Sequence, residues 1–499
     1  MRVALAMMLG ALPLVGAAAQ ETGSKPAAKA RRTNPPSAPL PPTAETVAAR
    51  PGGIALTVAD AIAIALRDNR TIRSAYIDRI AQKFDLRVAE DRFTPHVTIN
   101  GGATRQQIAG INTTSAEITP AATALLPTGA TFGLAWANQM TDTAGIVTRS
   151  SIAELTLSQP LLRGGGIEVN MAPVRAARLT ERINRLRLKT TVSETVGQVI
   201  FAYRSLLQAQ EELKLAQASV MRAQELVDIN RALITAGRMA EVDIVQTEAD
   251  LENQRIRVLE GTKTLDAARL QLLNLLSIDL GAAIVAREST DPARIATNLS
   301  RLMQIALAQR PDYLGQVLVV EQNKLGLVVA QNERLWDLSV FASGRFGRET
   351  TTGGGTFAAE RISDMTVGAA FSVPLNDLRR EQPFVQATST LQTSELQLAI
   401  IRQGVELQVR GSVTDVDIRW RQLEVARRAR QLAARAVEIE KEKLKAGRSA
   451  NFQVRGLEND LRSAESQQLG AMIGYLNALT LLDIQLGTTL ETWRIALRD

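Results

Sequence analysis

A long heptad pattern occurs twice in this chain, and the duplication limits the folds that the chain can adopt. In residues 192–234 an apolar side chain falls on every seventh position, and alanines fall three positions after the middle ones. The pattern recurs without a gap about 210 residues later, and both copies reach an Ala-Gly-Arg sequence. The apolar positions are Val192, Val199, Leu206, Leu213, Val220, Val227 and Ile234 in the first copy and Val409, Val416, Leu423, Val437 and Leu444 in the second. This alternation of apolar and small residues is typical of long helices packed side by side, so we expect two similar halves.

The long helix of the first half is predicted to run from about Ala172 to Ile234, a length of roughly 95 Å. Such a helix is too long for a compact globular core. Three glutamines, Gln210, Gln217 and Gln224, follow the same period one position after the alanines. They have two interpretations: a polar wall that lines a water-filled tunnel, or the solvated flank of an ordinary coiled coil.

The N-terminal segment has the features of an exported protein. Residues 1–19 combine Arg2, an apolar run and an alanine-rich cleavage sequence before Gln20, which predicts a secretory signal peptide. Residues 20–53 are rich in proline and are predicted to form a tether without a core. The formal net charge is +7, but much of it lies in this N-terminal segment, and no basic stripe with interleaved aromatic residues follows. We therefore expect no nucleic-acid partner. The absence of cysteine excludes disulfides.

In each half a shorter amphipathic region is followed by segments in which every second residue is apolar. These segments are Val97-x-Ile99, Phe132-x-Leu134-x-Trp136 and Leu155-x-Leu157 in the first half, and Leu338-x-Val340 and Met365-x-Val367-x-Ala369-x-Phe371-x-Val373 in the second. Such alternation predicts β-hairpins with one apolar face, and in an exported protein it indicates an outer-membrane barrel. One hairpin from each half cannot close a barrel, because every strand edge in lipid must be paired. Closure would require further copies of the chain.

The strand region of the first half is longer than that of the second. Residues 96–160 exceed their counterpart at 338–374 by about 28 residues. We expect this surplus, roughly residues 108–128 and 138–150, to form a long loop or an extra hairpin at the extracellular rim.

The order of elements resembles that of the TolC-like outer-membrane efflux proteins, also called outer membrane factors. That order is a signal peptide, then a short helix, a hairpin, Pro-Leu, a long helix, an Ala-Gly-Arg turn and a returning helix, the last six repeated. The matching sequences are Leu56-Thr57-Val58-Ala59-Asp60-Ala61-Ile62, Ser158-Gln159-Pro160-Leu161-Leu162-Arg163-Gly164, Asn170-x-Ala172-Pro173 and the two glycine turns. The resemblance places a first repeat at 54–290 and a second repeat with a C-terminal segment at 291–499.

The resemblance implies an α+β membrane protein made of two structural repeats, each a long coiled-coil α-helical hairpin plus a β-hairpin. It implies a homotrimer whose four strands per chain form a shared twelve-stranded transmembrane β-barrel and whose helices form an α-barrel tunnel. It further implies a location in the bacterial outer membrane, in contact with its lipid, with the tunnel in the periplasm. The expected function is the outer-membrane channel of a tripartite efflux system that exports drugs, metals or other toxic compounds. The expected partners are a periplasmic adaptor and an inner-membrane transporter.

The two glycine turns correspond to the tunnel tip, where the adaptor would dock. The candidate docking residues are Gly237, Arg238, Asp243, Gly447, Arg448, Gln453 and Arg455. In the family pattern the residue six positions after each glycine is often Asp, which Asp243 fits and Gln453 does not. Because arginines follow both glycines, we expect a basic tunnel entrance.

The residues argue against an enzyme. The single histidine, His96, has no visible partner, no zinc-ligand spacing occurs, and the glycine runs lack the Lys-Ser/Thr of a phosphate loop. We therefore expect no enzyme, no metal and no cofactor. Two alternatives remain open: the outer-membrane channel of type I protein secretion, and a periplasmic coiled-coil adaptor or scaffold protein.

Overall fold

The computed structural model describes residues 54–237, 239–287, 292–446 and 448–497. The predicted signal peptide (1–19) and tether (20–53) lie outside the described residues. The first half comprises β1 (Ile54–Leu56), α1 (Val58–Asp68), α2 (Arg70–Glu90), β2 (His96–Ile108), β3 (Ile111–Leu125), β4 (Thr131–Thr143), β5 (Ile146–Pro160), α3 (Ile167–Thr235) and α4 (Val242–Leu276). The second comprises β6 (Ile284–Ala286), α5 (Leu299–Gln309), α6 (Pro311–Glu333), β7 (Asp337–Gly353), β8 (Thr356–Ser372), α7 (Leu378–Lys445), α8 (Asn451–Leu486) and α9 (Thr489–Thr492).

The first short helices begin and end at residues that the local sequence specifies. Thr57 and Asp60 form a reciprocal capping box, in which each side chain bonds the other residue's backbone amide. Asn69 then separates α1 from α2: its backbone leaves the helical region, and its side chain accepts hydrogen bonds from the amides of Thr71 and Ile72. The chain can therefore turn at Asn69 without leaving buried amides unpaired.

The long helices have the predicted length. α3 has 69 residues and α7 has 68, so each is about 100 Å long. The returning helices α4 and α8 have 35 and 36 residues. A proline lies inside each long helix, Pro173 in α3 and Pro383 in α7, at corresponding positions of the two copies.

The helices pack side by side as one layer. α2 and α4 contact one side of α3, and α6 and α8 lie between α3 and α7. At Gly197 the Ile484 side chain of α8 packs directly onto the backbone of α3, because a Cβ atom there would lie 2.6 Å from Cδ1 of Ile484. The predicted heptad seam is confirmed, since its members Val192, Val199, Leu206 and Val227 and, in α7, Val409, Val416, Leu423, Val437 and Leu444 are buried.

The main core lies where the short elements cover the long helices. β1 pairs in parallel with β6, and the buried Tyr203 hydroxyl on α3 donates to the carbonyl of Leu56 and accepts from the amide of Arg287. In the described part of the chain, α8 is the one helix with the length and hydropathy to cross a membrane. Its apolar residues, Tyr475 and Leu482 among them, belong to this core, so α8 is a core helix.

Six of the eight described strands form one antiparallel sheet, in the order β2-β3-β4-β5-β7-β8. The expectation of four strands per chain is therefore wrong: the surplus of the first half is an extra hairpin. Part of its predicted location is also wrong, because the loop between β3 and β4 returns to the helical end, where the amide of Gly166 donates to the carbonyl of Thr128. β3 could not be predicted from the sequence, because threonine and alanine occupy both of its faces. Apolar and polar residues therefore do not alternate along this strand.

Candidate functional site

The sheet has one apolar face, which is exposed. Strand pairing places Leu134 beside Leu155, and Leu155 and Met365 on either side of Gly344, so their side chains share this face. Its exposed large apolar residues are Val97, Ile99, Ile118, Phe132, Leu134, Trp136, Met140, Leu155, Leu157, Val340, Phe346, Phe357, Met365, Val367 and Phe371. An apolar surface of this extent requires lipid or protein to cover it.

The opposite face of the sheet is polar and rich in carboxylates. Glu349 lies directly opposite Glu360, and Glu117 lies in the same row across the sheet. Closer to the helices, Arg345 lies between Glu154 and Asp364. A sheet with an apolar face and a polar, acidic face can separate lipid from a water-filled lumen.

The junction between sheet and helices is held by polar contacts. The Asn170 side chain donates to the carbonyls of Gly164 and Gly166, and the amide of Gly164 donates to the side chain of Asn332. A Cβ atom at Gly129 would lie 2.2 Å from the carbonyl oxygen of Gly164, so only glycine fits there. The sequence identified Asn170 as a marker of the resemblance without a role, and it missed Asn332. The structure shows that both residues anchor the sheet to the helices.

A second set of contacts at the junction involves charges. Asp337, the first residue of β7, forms ion pairs with Arg163 at 3.1 Å and with Arg380 at 2.6 Å. These pairs join the end of β5, the start of β7 and the first turn of α7. The direction in which the long helices leave the sheet is thereby fixed.

At the first helical tip, Gly237 ends α3 in the left-handed region, with φ +71°, and no described atom lies within 4 Å of the place that a Cβ would occupy. Its backbone amide donates to the carbonyl of Ile234. Arg238 lies outside the described residues. Asp243 is the second residue of α4, and its side chain is not described.

At the second tip, Gly447 lies outside the described residues. Arg448 is exposed, and its amide donates to the carbonyl of Lys443, which closes the end of α7. The exposed Gln453 accepts a hydrogen bond from Ser449. Arg455 instead is half-buried and contacts α4, where its guanidinium lies 3.0 Å from the side-chain amide of Gln246.

Near the tips, a partly buried ion-pair network that the sequence did not reveal joins the two hairpins. Glu458 on α8 pairs with Arg222 of α3 at 2.9 Å and with Lys441 of α7 at 2.7 Å. Lys441 also reaches Glu225, and Arg222 also reaches Glu465. Burial lowers the pKa of Lys441, but the hydrogen bonds and charges of Glu458 and Glu225 outweigh burial and raise it. Heptad spacing shows which charged residues lie beside the helix contacts. Only the packing of the helices determines which of these residues form ion pairs with each other.

The three glutamines predicted to line a tunnel have different surroundings. Gln210 accepts a hydrogen bond from the amide of Ala286 at 2.9 Å, so it supports β6. Gln217 is exposed, and Gln224 donates to Asp228. Their role in lining a tunnel remains a prediction.

The fold defines the class of protein. It is similar to the Campylobacter jejuni CmeC outer membrane channel, with a TM-score of 0.65 and 15% identity over 86% of this chain and 85% of that chain. It is also similar to the Neisseria gonorrhoeae MtrE outer membrane channel, with a TM-score of 0.64 and 16% identity over 86% and 88% of the two chains. The chain therefore has the fold of the outer-membrane channels.

Sequence comparison identifies the family. Residues 61–277 match the profile described as outer membrane efflux protein. The alkaline protease secretion protein AprF of Pseudomonas aeruginosa is 24% identical over 45% of this chain and 46% of AprF. The cobalt-zinc-cadmium resistance protein CzcC of Cupriavidus metallidurans is 29% identical over 26% of this chain and 29% of CzcC. The matches thus span less than half the length of these relatives. Residues 61–277 thus form an outer membrane efflux protein domain, and the comparisons confirm the predicted resemblance to this family and the outer-membrane location.

Proposed function

We propose that this protein is the outer-membrane channel of a tripartite efflux system and exports small toxic molecules. The observation that most supports the proposal is one continuous structure: a sheet with an apolar and an acidic face, joined to helices about 100 Å long. Lipid would cover the apolar face, and the helices would extend the passage through the periplasm. If the sheet belonged to a soluble protein, its apolar face would be exposed to water.

The channel requires several copies of the chain, and we propose three. Among the described strands, β2 and β8 each pair with one neighbour, so a single chain leaves two open edges that would be costly in lipid. The outermost helices are also apolar on their open sides. The exposed apolar residues are Ile77, Ile80, Phe84, Val245, Ile256 and Leu259 on α2 and α4, and Leu396, Ile400, Leu407, Ile418, Val425, Leu432 and Ile439 on α7. Joining β2 of one copy to β8 of the next would cover both kinds of edge, and six strands from each of three copies would form the barrel.

Cysteine crosslinking tests this arrangement without interference, because the chain has no cysteine of its own. Thr98 lies two residues from the helical end of β2, and Ala370 lies two residues from the helical end of β8. The double variant T98C/A370C should form intermolecular disulfides that yield a covalent trimer under oxidation. Crosslinked species that stop at a dimer, or that form only within one chain, would contradict a closed ring.

The placement in the membrane has its own test. Ala144 lies in the turn between β4 and β5, far from the helices, whereas Leu126 lies in the loop at the helical end. On intact cells a membrane-impermeant thiol reagent should label A144C and should leave L126C unmodified until the outer membrane is permeabilised. Labelling in the reverse order would invert the proposed orientation.

The tip is the proposed docking site for a periplasmic adaptor, which would connect the channel to an inner-membrane transporter. G237L and G447L should abolish export while trimer yield stays near normal, because a large side chain obstructs the tip. Gly110 is a matched control: it also has a positive φ and open space around its Cβ position, but it lies in the turn between β2 and β3. G110L should retain export. Export retained by a G237L/G447L variant would refute docking at these turns.

Type I protein secretion is the second candidate function, because the match to AprF, a protease secretion protein, covers the longer part of the chain. Deleting the gene and screening both sensitivity to toxic compounds and the secreted proteins would separate the two candidates. If the protein serves efflux, the deletion strain should be more sensitive to toxic compounds and should secrete an unchanged set of proteins. If it serves secretion, the strain should lose a secreted protein and keep its normal sensitivity.

A further inference from the structure

Three arginines form a group on the apolar face of the sheet, and the proposed channel function does not explain them. Arg348 on β7 lies directly opposite Arg361 on β8. Arg149 on β5 pairs with Thr350, two residues from Arg348, so the three positions are adjacent on neighbouring strands. All three side chains are exposed. We name Arg149, Arg348 and Arg361 the arginine cluster.

The charges of the arginine cluster have no partner within the described part of the protein. None of the three forms an ion pair there, and like charges directly opposite each other destabilise a sheet. The strand register places six carboxylates on the opposite face of the sheet. These are Glu117, Glu154, Asp337, Glu349, Glu360 and Asp364. On the apolar face of the described strands the one carboxylate is Asp142, which accepts a hydrogen bond from the amide of Gly145. The counterions must therefore come from outside the chain.

The height of the arginine cluster indicates where those counterions lie. Phe371, near the helical end of β8, and Arg361 are ten residues apart on the same face. At about 3.3 Å per residue this is roughly 33 Å along the strand. With the usual strand tilt it gives a height of about 25 Å, the height of the apolar band of an outer-membrane barrel. The arginine cluster would thus lie at the membrane interface farther from the helices.

The chemistry of the guanidinium group indicates which class of ligand the arginine cluster would bind. Guanidinium groups bind phosphate oxygens through paired hydrogen bonds, and an array of three suits a headgroup with more than one phosphate. A shallow groove of about 540 Å³ lies beside the arginines and is lined by Ile118, Met140, Arg149 and Arg348, among others. Its apolar wall could accept an acyl chain next to the bound phosphate.

We propose that the arginine cluster binds the phosphorylated headgroup of an anionic lipid in the outer leaflet of the outer membrane. The inference rests on the proposed placement of the sheet in that membrane. The binding site would anchor the barrel at a fixed depth and would neutralise the repulsion between Arg348 and Arg361.

The experiment titrates the full-length protein in neutral detergent with bis-phosphorylated lipid A and measures bound lipid by native mass spectrometry. R149Q/R348Q/R361Q should bind about tenfold more weakly or worse, because each charge near an anionic headgroup contributes to affinity. R345Q is the matched control, because Arg345 is exposed on the same strand but faces the acidic side. R345Q should bind like the unmodified protein. R149K/R348K/R361K keeps the charge and should lose less affinity than the glutamine variant.

Further arms distinguish the possible ligands. Lipid A stripped of its phosphates should bind the unmodified protein at least tenfold more weakly, and inorganic phosphate at equal concentration should not displace lipid A. Equal binding by the glutamine variant and R345Q would overturn the proposal, as would equal binding of stripped lipid or ready displacement by inorganic phosphate. The single variants R348Q and R361Q are measured in the same way. If the triple variant does not assemble, the comparison of these single variants with R345Q still tests the proposal. Failure here with normal labelling of A144C would reject the lipid site and leave the membrane placement intact.

Discussion

The two long helices have the same heptad sequence pattern but different surroundings. α3 contacts α1, α2, α4, α6 and α8, whereas α7 contacts α5, α6 and α8 and keeps a row of exposed apolar residues. Leu215 and Ile229 of α3 pack against buried clusters, while Val425 and Ile439, which hold the corresponding positions in α7, are 67% and 48% exposed. What α3 buries within the chain, α7 can bury only against another molecule. One repeated pattern thus provides both a core helix and an interface helix.

The short helices of the two halves differ in the same way. The buried Arg79 of α2 and the half-buried Glu181 of α3 form a bidentate ion pair, with contacts of 2.7 and 2.5 Å. The corresponding positions in the second half hold Val320, which is buried, and Leu391, which is half-buried. The same place in the architecture is therefore filled by an ion pair in one half and by apolar residues in the other.

The largest effect is expected from charging the open side of α7. V425E/I439E would place two carboxylates in each apolar interface of the trimer, at a cost of roughly 2 kcal/mol or more for each buried charge. Size-exclusion chromatography with light scattering should show loss of the trimer, while circular dichroism retains the helical signal. R430E, an exposed change on the same helix, is the control and should remain trimeric. A trimeric V425E/I439E would mean that α7 does not form the interface.

A smaller effect is expected from breaking the ion pair of the first half. R79L should destabilise the protein by about 2 kcal/mol, because it leaves the half-buried Glu181 carboxylate without its main partner. R79V/E181L, which copies the residues of the second half, should recover most of that loss. Thermal unfolding followed by circular dichroism measures both. A double variant no more stable than R79L would show that the two halves do not accept each other's residues.

The two buried tyrosines should show the next smaller effects. Y203F removes the hydrogen bonds of the hydroxyl to the carbonyl of Leu56 and the amide of Arg287, but that amide also donates to that carbonyl, so the loss should be only about 0.5 kcal/mol. Tyr475 bonds the carbonyl of Ala293 and the amide of Ile295 in partly buried surroundings, so Y475F should cost about 1 kcal/mol. Equal shifts in the midpoint of thermal unfolding would contradict this ranking.

The smallest effect is a dependence on pH confined to the first half. Hydrogen bonds from the Arg79 guanidinium hold the pKa of Glu181 below its usual value, against the opposing effect of burial. A depressed carboxyl pKa contributes stability above the ordinary pKa, and this contribution is lost as pH falls through the lowered one. On going from about pH 6 to about pH 3.5, the unmodified protein should lose more thermal stability than R79V/E181L. Identical losses would show that the ion pair does not titrate in this range.

Much of the fold could be predicted from the sequence because it depends on local periodicity. The heptads predicted the long helices, Gly237 predicted the first helical turn, and alternation predicted strands around Trp136 and Phe371. The strand count failed at β3, where small residues on both faces leave no apolar period. Of the candidate tip residues, Arg455 contacts Gln246, and spacing does not reveal this contact between helices far apart in sequence.

The sequence by itself determined the repeat, the class of each long element and the family resemblance, because these follow from periods and motifs within short windows of the chain. Only the tertiary structure decided which equivalent positions are buried and which charges meet. Val425 and Leu215 differ in exposure although their helices share one pattern, and Glu458 joins Arg222 to Lys441 across three helices. The physical reason is that burial and ion pairing depend on the neighbours that packing supplies. The arginine cluster likewise exists only because strand register brings Arg149, Arg348 and Arg361 to one face.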